Sequence, residues 1–356
     1  MTTSNEILQL SLFETTDKPH TNYMALYDLA PRFALRSDRL AGTMLTSIRR
    51  NFPFEGDMYK VTVTPARITD SAGNERDVLP GEREQLVEDV VRKFATEKLL
   101  LADQEQVRST FHIYRIQKEL SAHKHTFSKS EIKEALEILH KSSIEITRLA
   151  PAGSKKPQPV LSAAAFPVLS FADQNNVDSQ AYVQLNPLLA QAIKTLAYEQ
   201  VNYNWLMQIK GQLPRWVFKS LSLLFSENGV NDMIEVKASD IATSFGSSRK
   251  RWRESLSEVG KAIRKLQELE VIDHFVTKDI KDGRVKTDVI FSIRLSRRFM
   301  DDRRAAKERS EFNQAQAMKL AGSRKPERFH QISSEQATQL KLEGTLSNQQ
   351  MSRHLH

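Results

Sequence analysis

Apolar residues recur along this chain with two periods, and each change of period marks an element. In YKVTVTPARI (59–68), Val61 and Val63 alternate with threonines, which predicts a strand. TDSAGN supplies turn residues, and ERDVL (75–79) reads as the returning strand of a hairpin. After Pro80-Gly81 the spacing becomes three and four. Leu86, Val87, Val90, Val91 and Phe94 then predict an amphipathic helix over 82–101. A second helix is expected over 107–121, with Phe111, Tyr114 and Ile116 toward its buried side. Ser128 through Glu131 form a capping box, in which the serine oxygen accepts from the third helical amide and the glutamate reaches back. Ile132, Ala135, Leu136 and Leu139 continue that helix as one stripe to about Ser142. IEITRL (144–149) returns to period two, 150–159 reads as a Pro/Gly/Lys loop, and strands resume at FPVLSF (166–171) and AYVQL (181–185). Asn186-Pro187 opens a helix expected to run toward Tyr203.

The order then repeats. A helix starts at Pro214 with Trp216, Val217, Leu221, Leu224 and Phe225, and it stops in Ser226–Gly229. MIEV (233–236) predicts a short strand, and ASDIATSF a short helix ended by Gly246. A long helix is expected over 248–269. The strands IDHFVTKD and TDVIFSIRL then enclose a tight turn at Asp282-Gly283. Helix, helix, capped helix and strand hairpin is the order of a winged helix, and the second copy is the better formed. The expected architecture is therefore α+β with two tandem winged-helix domains, at 59–206 and 207–300. A flexible leader (1–58) precedes them and a charged, largely disordered tail (301–356) follows. Residues 1–22 read as its mobile part, and 23–56 give no firm assignment.

Composition narrows the function. The 356 residues contain no cysteine, which excludes disulfides, thiolate nucleophiles and Cys-based zinc sites. No apolar run approaches the roughly 18–20 residues of a membrane span, and no secretory signal is read in the amino terminus. A cytoplasmic protein is expected. Net charge is +8, and residues 246–310 alone hold 18 Lys/Arg against 11 Asp/Glu. Nearly all the excess positive charge thus lies in one stretch, as expected of a polyanion binder.

Within that stretch Trp252, Leu256, Val259, Ile263 and Leu266 form one narrow helical stripe. Lys250, Ser257 and Lys261 fall opposite it, with Arg264 and Lys265 on the flanks and Arg253 near the edge. Such a helix can lie in a major groove, where Arg and Lys reach guanine edges or phosphates. A solvated helix face is the plainer alternative, weakened by the turn before it, which includes Ser248, and by the hairpin after it. The hairpin carries Lys278, Lys281, Arg284 and Lys286, placed for phosphates rather than bases. On the first capped helix, Lys129, Ser130 and Lys133 are candidates for DNA contact, or that helix has a structural or dimerising role.

Enzyme signatures are absent from the sequence. There is no G-x-x-x-x-G-K-[ST] phosphate cradle. His123 and His125 flank Lys124 instead of the apolar residue that rolling-circle nucleases place between two metal-binding histidines, so a solvated loop is expected there. Asp301-Asp302 reads as solvated. Neither catalytic residues, a cofactor nor a metal is expected.

The stretches YKVTVTPARI, EREQLVEDVVRKFA, ALEILHKSSIEI, YVQLNPLLAQAI and LPRWVFKSLSLLF, together spanning about 59–300, resemble the initiator proteins of iteron-containing plasmids of Gram-negative bacteria. The resemblance implies sequence-specific binding to origin repeats, origin opening and recruitment of host replication proteins, among them an initiator or helicase. It also implies a monomer that initiates and a dimer that represses its own gene, so that copy number is controlled. A transcriptional regulator with two winged helices is the alternative, and an origin-nicking nuclease a more distant one. Gln9-Leu10-Ser11-Leu12-Phe13, set in a polar amino terminus, looks like the peptide by which bacterial replication proteins dock on the sliding clamp. Leu12 and Phe13 would fill an apolar pocket while Gln9 bonds its edge. Packing against the protein's own core is the other use such a stretch could have.

Overall fold

The computed structural model describes residues 20–35, 47–69, 73–97, 100–102, 106–150, 156–195, 197–223, 233–247 and 252–321. The chain is a mixed α/β protein with two principal apolar cores. One is built mainly from residues 24–207 and the other mainly from 201–299.

The first core begins with β1 (His20–Tyr23), α1 (Ala25–Leu29), β2 (Ile48–Phe54) and β3 (Asp57–Thr64). A small hairpin, β4 (Ala66–Thr69) with β5 (Glu75–Val78), leads into α2 (Glu82–Glu97). Then come β6 (Leu100–Ala102), β7 (Gln106–His112), α3 (Ile113–Ala122) and α4 (Lys129–Lys141). β8 (Ser143–Arg148), β9 (Gln158–Ala163), β10 (Val168–Phe171), β11 (Gln180–Gln184) and α5 (Pro187–Lys194) complete it. Its strands form two four-stranded antiparallel sheets, ordered β2-β3-β8-β9 and β10-β11-β7-β6. Ser128 caps α4 as its sequence predicts. Its Oγ accepts from the Glu131 amide at 3.2 Å, and Glu131 accepts from the Ser128 amide at 2.7 Å. Every residue of α2 from Glu84 to Arg92 is buried, because sheet, helices and the amino-terminal strand surround it.

The second core follows β12 (Glu199–Asn202) and α6 (Tyr203–Gln208). It contains α7 (Gln212–Leu223), β13 (Ile234–Lys237), α8 (Ala238–Ser244), α9 (Trp252–Glu268), β14 (Ile272–Asp282) and β15 (Val285–Leu295). Its antiparallel sheet is ordered β13-β15-β14. α10 (Arg297–Ala321) then packs back on β12.

Several expectations are corrected. The expected leader is folded at 20–35 and 47–58: β1 pairs residue for residue with β12, and β2 joins a four-stranded sheet beside β3. Polar His20, Thr21 and Asn22 are buried there, which their residue types conceal. The expected helix over 107–121 is a strand to His112, since Val107, Ser109 and Phe111 bury one face between β6 and β11. The helix from Pro187 ends at Lys194, before β12. The end of the expected 150–159 loop enters β9. The expected tail is helical to Ala321, with Arg303 and Ala306 buried. Asp302 is not a solvated carboxylate: it accepts from His20 Nε2 at 3.1 Å and Asn202 Nδ2 at 2.9 Å. His123 and His125 are half-buried rather than solvated, and His125 Nε2 bonds the Met207 carbonyl at 2.8 Å.

Candidate nucleic-acid interface

α9 carries its apolar stripe as the periodicity requires. Leu256, Val259, Ile263 and Leu266 are buried against α7, α8 and the sheet, with Trp252 half-buried at the start. The opposite side exposes Arg253, Ser257, Lys261 and Arg264, with Lys265 half-exposed. Three glutamates share that side. Lys261 Nζ pairs with Glu258 at 2.7 Å and Lys265 Nζ with Glu268 at 2.8 Å, while Glu254 is exposed beside Arg253. Exposed pairs of this kind are worth at most about 1 kcal/mol, so a phosphate or a base edge can take either lysine. Ser248 and Lys250 lie outside the described residues, as do Gln9, Leu10, Ser11, Leu12 and Phe13.

The β14–β15 hairpin stands out from the core, and residues 281–287 are all exposed. Gly283, with φ of +58°, opens its two-residue turn, where a type II′ geometry demands glycine. Lys278, Lys281, Arg284 and Lys286 are exposed, and Lys286 pairs with Asp279 at 2.6 Å. The ladder slips between Ile280 and Lys281, leaving Thr287 as an extra residue on β15. Trp252 Nε1 donates to the Thr287 carbonyl at 3.2 Å. The start of α9 is thereby tied to the part of the hairpin that bears Lys286. Periodicity assigned Trp252 to the core stripe and gave no sign of this second use.

The turn between α8 and α9 rests on the first half of the chain. Gly246 has φ of +82°, and a Cβ there would lie 2.3 Å from Arg50 Cδ and 3.1 Å from Pro31 Cβ. Arg50 is itself held by the Pro31 and Phe33 carbonyls, each accepting from Nη1 at 2.9 Å.

Lys129, Ser130 and Lys133 lie on the first turns of α4, which packs on α2, α3, β4 and β10 in the other core. Lys129 Nζ pairs with Asp178 at 2.7 Å, Lys133 Nζ donates to the Gln174 carbonyl, and Ser130 is exposed.

A buried ionic layer joins the halves, and sequence reasoning missed it. Arg32 grips Glu88 through two bonds of 2.6 and 3.0 Å. Arg92 grips Asp28 at 2.5 and 2.9 Å. Lys219 Nζ from α7 donates to Asp89 of α2 at 3.0 Å, and the Tyr23 hydroxyl donates to the same oxygen at 2.8 Å. Burial alone would raise the Asp28 carboxyl, but Arg92, Lys219 and Arg32 together outweigh it and hold it below the usual carboxylate range. Burial pushes the Lys219 ammonium down against the pull of Asp89. The only sequence signal was the run Glu84, Glu88, Arg92 at spacings of four, which reads equally well as a solvated face.

These parts define a mixed α/β protein with two principal apolar cores. That fold has a solved counterpart. Domains 2 and 3 of RctB superpose with a TM-score of 0.51 at 9% identity, covering 75% of this chain and 95% of that one. A second structure of RctB domains 2–3 gives 0.46 at 10%, covering 76% and 96%. The Pi initiator protein in complex with iteron DNA gives 0.41 at 10%, covering 60% and 91%. No protein-family model matches the sequence. No curated protein matches it significantly. Among the described residues no helix is long and apolar enough to cross a membrane.

Proposed function

We propose that this chain is a plasmid replication initiator that binds duplex repeats at an origin through tandem winged helices, acting by binding rather than catalysis. One observation carries the reading. α9, with Arg253, Ser257, Lys261, Arg264 and Lys265 outward, begins beside a protruding hairpin that bears Lys278, Lys281, Arg284 and Lys286. The order α7, β13, α8, α9, β14, β15, with β15 central in the sheet, supports a winged-helix reading of this half. The helix offers base readout and the hairpin phosphate contacts. The sequence resemblance to iteron-binding initiators supplies the origin, its opening, the monomer–dimer balance and the host initiator or helicase as partners. In the same reading Leu12 and Phe13 dock on the sliding clamp, and the protein works in the cytoplasm.

The test uses supercoiled DNA carrying the sequence that flanks the gene. Protection of tandem repeats, with unpaired thymines in an adjacent AT-rich tract, is the expected result. Protection confined to a promoter would favour a transcriptional regulator, and magnesium-dependent relaxation would favour a nicking enzyme. Clamp binding that survives Leu12→Ala with Phe13→Ala would remove the docking peptide from the proposal.

A further inference from the structure

The first turns of α4 lie beneath a loop. Residues 172–179 connect β10 to β11, and 172–177 are exposed. One oxygen of Asp178 accepts from the Tyr114 amide in the first turn of α3 at 2.8 Å, and the other accepts from Lys129 Nζ at 2.7 Å. The Gln174 carbonyl accepts from Lys133 Nζ. Each lysine also lies over an aromatic ring, Lys129 over Tyr114 at 5.5 Å and Lys133 over Phe171 at 4.8 Å. The loop keeps its own shape. The Asp173 amide donates to Ser179 Oγ at 2.8 Å, the Asn175 amide to Asp173 at 2.9 Å, and the Asp178 amide to Asn176 at 2.9 Å.

Both α4 lysines that DNA would use are therefore taken by acceptors of the same chain. A carboxylate held between a backbone N–H at a helix start and a lysine ammonium meets the donors that a phosphodiester oxygen meets on a duplex. The grip is weak enough to exchange: Lys129 and Asp178 are each about one-third exposed at the side chain, and pairs so solvated contribute little. On the remaining polar face, Glu134 is engaged by Arg76 and Arg83, and Glu137 by Lys141. With Lys129 and Lys133 covered, the first turns of α4 offer duplex DNA no uncommitted lysine.

We propose that residues 172–178 are an autoinhibitory strap, with Asp178 and the Gln174 carbonyl standing where DNA phosphates sit when α4 docks. The inference rests on the DNA-binding reading above. With the strap closed, only the α9 half engages a duplex. With it displaced, both halves do, and the contact lengthens along the DNA.

The experiment measures affinity of the full chain for a mixed-sequence duplex over a salt series, because phosphate contacts are independent of sequence. Asp178→Asn is expected to tighten binding about tenfold and to steepen the salt slope by about one, the yield of one new phosphate contact. Lys129→Ala is expected to cancel the gain in the Asp178→Asn background, because the phosphate contact that Asp178 covers is then gone. Replacing residues 174–177 by a Gly-Ser linker is the second variant, expected to give the same gain. Thermal melting checks that each variant is folded. A gain that survives Lys129→Ala would be general charge removal and would overturn the strap. Unchanged affinity and slope in both loop variants would overturn it too. Weaker binding would mean that the loop itself touches DNA. If neither wild type nor Asp178→Asn binds duplex, the DNA-binding reading falls and takes the strap with it. If wild type binds and Lys261→Ala weakens it while both loop variants match wild type, only the strap falls.

Discussion

Under the proposed function, single side chains on α9 and its hairpin would divide the labour of recognition. Lys261 needs only to release an exposed glutamate to reach a base edge. Lys261→Ala or Arg253→Ala is expected to cost on the order of 1–3 kcal/mol on a cognate repeat. Lys281→Ala should cost less and weaken all sequences alike, because a backbone contact carries no sequence information. Footprints with unchanged specificity after both α9 substitutions would remove α9 as the reader. Gly246 acts differently. A side chain at φ of +82° is strained, and its Cβ would collide with Arg50. Gly246→Ala is therefore expected to destabilise by about 1–3 kcal/mol and to shift α8 and α9 relative to β2. Chemical denaturation checks the first effect, and DNA affinity the second. The need for glycine at 246 was legible as a helix stop, but its neighbours Arg50 and Pro31, some two hundred residues away, were not.

At the scale of elements, legibility followed locality. α4 was predicted almost to the residue, because its cap, its stripe and its ending at Ser142 lie within fifteen residues of one another. β7 was read as the start of a helix, since its alternation of Val107, Ser109 and Phe111 is short and its partners β6 and β11 are distant in part. α10 was read as tail for a related reason: it is strongly charged, and among its described side chains only Phe299, Arg303 and Ala306 are buried. Phe299 is fully buried, with ring centroids 6.0 Å from Trp205 and 6.1 Å from Phe218. Phe299→Ala is expected to cost about 3–5 kcal/mol, measured by urea unfolding. A loss below 1 kcal/mol would mean that α10 is dispensable to the second core.

For the whole molecule, the ionic layer makes the two halves depend on each other. Lys219→Met leaves the Asp89 carboxylate buried without its cation, and a loss of about 3–5 kcal/mol is expected in unfolding experiments. The acid side follows from Asp28. Its pKa is lower folded than unfolded, so its stabilisation is present above pH ~4 and is lost as pH falls through the folded value. Melting temperature should thus drop below pH ~4, and less so in Asp28→Asn, which has already lost the effect. A basic surface that displaces condensed counterions should also respond to salt. With about 6–10 phosphate contacts, affinity should fall roughly 10³–10⁵-fold between about 50 and 200 mM. A flat response would turn the basic stretch toward protein rather than DNA.

The sequence by itself determined the helices of strong period, the capped start of α4, the β14–β15 hairpin and the basic face of α9. All of these follow from side-chain spacing within one element, which neighbours of every kind reinforce. Tertiary structure alone decided that His20, Thr21 and Asn22 are buried and that Glu84 to Arg92 face no water. It also decided that Lys129 and Lys133 are already occupied. A charged residue reads as solvated until its partner is known. Here the partners Lys219, Asp302, Gln174 and Asp178 come from separate stretches of chain, which only folding brings within a hydrogen bond.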